Sequence, residues 1–181
     1  PSGLTADDIK VVMNIVAEDY APFNVDVTND RAYYDSKPFG AKHMNIITPT
    51  RLDNDGSGGV ARIGSFTWKY FCPSWTYHLT PKGAAEAATH EVGHTLGLEH
   101  DGGSNPISGA YVEHFPGHNN WGPIMGGALD KTVVQFSKGE YQSANNIQDD
   151  LKTISHPGNN VGYKTDDYGN TTVTANALRA T

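Results

Sequence analysis

A single cysteine, Cys72, stands among 181 residues, so no disulfide can form within the chain. A chain of this length can bury a sizeable core without one and reads as one ordinary domain. Nowhere do apolar residues run for the ~20 positions that a membrane-spanning helix needs. Basic side chains are outnumbered 13 to 20, and a formal charge of −7 argues against nucleic acid or an anionic membrane as partner. Charge is sparse overall, at 18% of residues, while 20 glycines and 10 prolines imply much loop. No internal repeat is present.

Against this background one stretch stands out: His90-Glu91-Val92-Gly93-His94-Thr95-Leu96-Gly97-Leu98-Glu99-His100-Asp101-Gly102. It contains HExxHxxGxxH. On a helix, His90 and His94 lie one turn apart on the same face, so both imidazoles reach one ion. Glu91 beside them is placed to take a proton from water on that ion without being a ligand. Gly97 lets the chain leave the helix sharply, since glycine reaches backbone angles that a Cβ forbids. The turn brings His100 back as a third nitrogen donor. Three neutral imidazoles with one open position describe a catalytic zinc site, because a structural site is closed by a fourth protein ligand. HExxH alone arises by chance on solvated helix faces; Gly97 and His100 at fixed spacing remove most such accidents.

The extended motif resembles the metzincin clan of zinc endopeptidases. A second feature of that clan, a methionine turn beneath the ligands, is matched by Trp121-Gly122-Pro123-Ile124-Met125-Gly126-Gly127, with Met125 packing under the site; by itself Met125 also reads as core filler. Asp101, following the third histidine, is similar to the adamalysin (reprolysin) branch. The metal-binding tyrosine that astacins and serralysins carry two residues after the methionine is absent here, since Gly127 occupies its place. The resemblance implies a secreted hydrolase acting on protein or peptide substrates, with Zn2+ as cofactor, His90, His94 and His100 as ligands, Glu91 as base, and Gly97, Asp101 and Met125 in support. It implies an α/β (α+β) fold: an N-terminal twisted mixed sheet with the active-site helix, then an irregular C-terminal subdomain ending in a helix. The lone Cys72 departs from disulfide-rich animal adamalysins and leans towards a bacterial relative. It reads as a small buried hydrophobe; a thiolate guarding zinc is the sharper alternative. No signal peptide is visible, so secretion is an expectation drawn from the resemblance, the targeting and pro-segments having been removed. The domain is expected to act as a monomer.

Along the chain, Thr5 to Tyr20 reads as an amphipathic helix: Thr5 caps it, Asp7 and Asp8 suit its first turn, and Ile9, Val12, Val16 and Tyr20 form an apolar stripe. Phe23 to Thr28 alternates apolar and polar residues as a half-buried strand does, and His43 to Thr48 is a second strand candidate. Arg51 to Gly59, with Asp53, Asn54 and Asp55, is either a calcium loop or a solvated turn; no Glu stands where an EF-hand would close. Gly59-Val60-Ala61-Arg62-Ile63-Gly64-Ser65-Phe66 resembles the edge strand above the cleft in adamalysin-like enzymes, where an extended peptide adds to free backbone groups. The aromatics Phe66, Trp68, Tyr70, Phe71, Trp75 and Tyr77 read mostly as core and cover of the active helix. That helix starts at Thr80-Pro81, cap and first position. Gly93 inside it costs about 1 kcal/mol against alanine, which a close approach of backbone or substrate would explain.

Beyond Gly102 turn signals dominate, and His114 and His118 read as loop histidines or groups behind the ligands. Ser137 is expected to cap a last helix running to about Ser155, with Tyr141, Ala144, Ile147, Leu151 and Ile154 on its stripe. The catalytic domain is expected to span 1–156, divided near 101/102, with 157–181 a linker or the start of a further module. Substrate is expected to meet Gly59, Val60, Ala61 and Arg62 on one side and Pro123, Ile124 and Gly126 on the other. Two rivals to a general endopeptidase remain: a zinc-holding module that binds peptides or glycans without cutting, and a narrow processing enzyme. Glu91 speaks against the first.

Overall fold

The computed structural model describes residues 2–52, 56–105 and 107–165, together with Thr171 and Val173. Helix α1, Ala6–Asp19, begins where the sequence places it. Thr5 accepts from the Asp8 amide while the Asp8 carboxylate accepts from the Thr5 amide, satisfying two donors that the first turn leaves free. Its apolar side, with Val12 buried, packs on α3, Pro81–Thr95. Alanines line α3 where the two helices meet: Ala84 and Ala85 are fully buried beside Val12, and their small side chains permit close approach. Thr80 caps α3 by accepting from the Gly83 amide, and Pro81 fills the first position.

Three short strands form the sheet: β1 Asn45–Ile47, β2 Gly59–Val60 and β3 Ser74–Thr76, in the order β1-β3-β2. β1 runs parallel and β2 antiparallel to β3, so β2 is an edge. Tyr77 donates to the Gly58 carbonyl, which turns Gly58 and Val60 towards β3 and leaves the backbone groups of Gly59 facing the free side, with Ala61 next along the chain. After α3 come two small two-stranded sheets: β4 Gly103–Ser104 with β5 Tyr111–Val112, and β6 Trp121–Pro123 with β7 Val133–Gln135. The main core, with Tyr20, Phe23, Leu96, Leu98, Met125 and Ile154, lies where α1, the end of α3 and the C-terminal segments converge. These elements make the mixed α+β fold expected of a metzincin.

Several expectations are corrected. Phe23 to Thr28 is not a strand: Phe23 makes one bridge, to Tyr163, and the segment leads into a short helix α2, Arg31–Ser36, capped by Asp30. Phe23 is buried because its ring packs with Tyr20 and Phe136, not because a ladder holds it. The edge strand is two residues long, since the chain turns at Gly64, whose φ is +73°. Tyr70 and Phe71 are exposed and do not cover the active helix, and Cys72 is half-buried. The helix expected from Ser137 to Ser155 shrinks to α4, Asp150–Ile154, capped by Asp149. Gly139 and Ser143 take positive φ, and the amides of Asn145, Asn146 and Gln148 bond to distant backbone instead of lying on a helix face. Packing continues past 156: a 3-10 turn, Pro157–Asn159, is followed by buried Val161, and Asn24 donates to the Gly162 carbonyl. The segment read as either a calcium loop or a solvated turn rests on Asp53, Asn54 and Asp55, which lie outside the described residues.

Candidate active site

The second half of α3 carries His90, Glu91 and His94, and three bonds aim the histidines. The backbone breaks after Leu96, with Gly97 at φ +99°, and the returning chain offers the Leu98 carbonyl to His94 Nδ1 at 2.7 Å. His90 Nδ1 meets the Ile124 carbonyl at 2.8 Å, and His100 Nδ1 meets Glu113 Oε1 at 3.0 Å. Carbonyls and carboxylates only accept, so each Nδ1 carries the proton and each Nε2 presents a bare lone pair. His94 Nε2 and His100 Nε2 stand 3.0 Å apart. Two lone pairs facing at that distance repel unless a cation lies between them. The spacing is near the ~3.3 Å edge of a tetrahedron built on usual zinc–nitrogen lengths. The donor set therefore fits zinc. Burial lowers His90 to about 3 and His94 to about 4, keeping both imidazoles neutral at ordinary pH.

Glu91 is buried beside them and makes no ion pair among the described residues; burial pushes its carboxyl up to about 8. A dication nearby favours the carboxylate and offsets this. Gly59 makes room for it: a methyl group there would lie 2.5 Å from Glu91 Oε1 and 2.6 Å from the Trp75 carbonyl. The edge strand thus sits directly against the candidate base.

Met125 is fully buried, under α3. A Cβ on Gly93 would meet Met125 Sδ at 2.8 Å and Leu98 Cδ1 at 3.2 Å, so Gly93 owes its place to the methionine and not to substrate. Asp101 joins the two halves. Its amide donates to the Met125 carbonyl, its carbonyl accepts from Phe115, and its buried carboxylate accepts from Ser137 Oγ at 2.7 Å. Burial, more than its charged neighbours, raises the Asp101 carboxyl to about 6.

A cleft of about 700 Å3 opens over these groups. Gly59, Val60 and Ala61 border one side, and Ile124 and Gly126 the other. Arg62 and Pro123, expected among the substrate contacts, do not line it. Arg62 is exposed where the chain has begun its turn, and Pro123 is buried within β6.

Residues that sequence reasoning did not single out hold the ligand loop. Gln148 accepts from the Glu99 amide and donates to the Gly97 carbonyl; Asn146 donates to the His100 carbonyl; Asn145 accepts from the Gly102 amide. Asn159 donates to the Leu96 carbonyl at 2.8 Å. The density of amides at 145–148, interrupting an apolar stripe, was the available signal. Glu113 had none.

The model of a family described as Metallo-peptidase family M12B Reprolysin-like matches residues 9–101, just over half of the chain. No curated protein matches the sequence.

Proposed function

Since the chain belongs to the reprolysin-like metallopeptidases of family M12B, and hence to the zinc peptidases, we propose that it is a secreted, monomeric endopeptidase that cuts within extended peptides. One observation supports this above the others: Glu91, the converging imidazoles and the free edge of β2 border a single cleft. When bound, zinc supplies a Lewis acid that acidifies water and polarises a carbonyl.

The chain's own residues do the rest. The outward groups of Gly59, with Ala61 beside them, hold the substrate backbone as one more strand. Hydrogen bonds of this kind are available to any sequence, so choice among peptides falls to side-chain space near Ile124, Gly126, Gly127 and Ala128. Glu91 takes the proton of the attacking water and delivers it to the departing amine as the C–N bond breaks. Its buried position against Gly59 keeps the carboxylate from being solvated away from that proton. Ile124, Leu98 and Glu113 fix these three imidazoles through their Nδ1 protons, so His90, His94 and His100 hold their orientation during turnover.

The test is a peptide-library digest with wild type and Glu91→Gln, each checked for zinc by elemental analysis. Glu91→Gln is expected to retain one zinc and lose at least ~10²–10⁴-fold in rate. Zinc bound by both proteins with no cleavage by either would favour a module that holds peptides without cutting.

A further inference from the structure

Building on the zinc-peptidase reading, we propose that His114 is a fourth imidazole donor to the metal, closing the site at rest and yielding its place to water when substrate enters the cleft. His90, His100 and His114 each offer a ring nitrogen within 4.8 Å of one another. The His100 and His114 ring centroids are 4.0 Å apart, with planes tilted by 49°, and the His90 ring is 5.8 Å from His114. The backbone fixes this approach. Phe115, next to His114, donates to the carbonyl of Asp101, next to His100, at 2.7 Å. Glu113, on its other side, reaches His100 Nδ1. Residues 113–115 are thereby held against 100–101.

Gly127 lies beside His114, within ordinary contact distance. A Cβ at Gly127 would lie 3.4 Å from His114 Cβ and 3.5 Å from its carbonyl oxygen. His118, four residues on, stacks instead towards Phe115 and Trp121 and does not enter the cluster.

His114 must be the donor that leaves. Four nitrogen ligands close a zinc site, and a permanently closed site would give Glu91 no water to act on. His94 is buried and His90 half-buried, both pinned by carbonyls, and His100 is pinned by Glu113. His114 is exposed, on an irregular stretch, and lines the cleft. Exposed side chains change rotamer on the nanosecond scale, so His114 swings aside without backbone movement, and the position it vacates takes the water that Glu91 deprotonates.

X-ray absorption on the full chain, stripped by chelator and reloaded with one equivalent of zinc, counts the imidazoles. Four are expected for wild type and for the control His118→Ala, and three for His114→Ala. His114→Ala should also weaken zinc binding at least about tenfold in competition with a chelator. Adding a peptide hydroxamate to wild type should lower its count from four to three. Three imidazoles in resting wild type would overturn the proposal while leaving the peptidase reading intact, and an unchanged count with hydroxamate would overturn the exchange. A protein that takes up no zinc would overturn both readings.

Discussion

Replacing Gly93 with alanine tests whether the methionine turn and the active helix are built around each other. In an ordinary helix interior this change stabilises by about 1 kcal/mol. Here the new methyl group would lie 2.8 Å from Met125 Sδ and 3.2 Å from Leu98 Cδ1, both on fully buried side chains. Neither neighbour can move into solvent, so the core has to shift, at a cost of about 1–3 kcal/mol. The two effects oppose, and Gly93→Ala should lower stability by about 0–2 kcal/mol. Met125→Ala alone should cost about 2–5 kcal/mol through its cavity. In the Met125→Ala background the nearer obstruction is gone and Leu98 Cδ1 has the vacated space to move into, so Gly93→Ala should then stabilise by up to its ordinary ~1 kcal/mol. Urea unfolding of the four metal-free proteins, followed by circular dichroism, gives the coupling, expected at about 1–3 kcal/mol. If Gly93→Ala stabilises both backgrounds equally, the coupling is zero and the methionine does not dictate the glycine.

Ala61→Pro removes an amide at the end of β2, in the wall of the cleft, and is expected to lower kcat/KM for every peptide while zinc and the preferred cleavage residue stay unchanged; an altered preference would place this strand in a specificity pocket instead. Because burial depresses His90 and His94 to about 3 and 4, their imidazoles stay neutral well below the ordinary 6.5. In the metal-free protein, imidazole NMR should accordingly find both rings still neutral at pH 5.5, and protonation of either by pH 6 would refute the burial argument. Asp150 is raised from 3.8 to about 8, first by burial and then by the carboxylates of Asp101, Asp149 and Glu140. Its neutral form fits the fold, so this contribution is complete below about 3.8 and is lost as pH rises through about 8. Asp150→Asn in zinc-loaded protein should therefore flatten the fall in urea midpoint between pH 6 and pH 9; an equal fall in both proteins would show that Asp150 does not titrate there.

The local elements of the site were legible in the sequence because their rules are local. Thr80-Pro81 starts a helix whatever surrounds it, four residues are one helical turn, and only glycine leaves a helix as Gly97 does. Those facts place His90, Glu91 and His94 on one face and send the chain back towards His100. The same held for α1, whose cap and stripe lie within sixteen residues. Local rules misled wherever a side chain's partner was remote. The apolar spacing from Tyr141 to Ile154 has a helical period, yet Asn145, Asn146 and Gln148 spend their hydrogen bonds on the loop from Gly97 to Gly102, about fifty positions earlier. Phe23 to Thr28 alternates as a strand does, but among the described residues no neighbouring strand runs beside it along its length. Gly93 looked like an unexplained helix defect until Met125 was seen against it. His114, which by spacing is only a histidine in a loop, stands beside His100 because Phe115 bonds to Asp101. Sequence spacing fixes what one helix or turn can present, whereas which remote groups meet it is set by how the segments pack, and packing obeys no period that a single stretch can show.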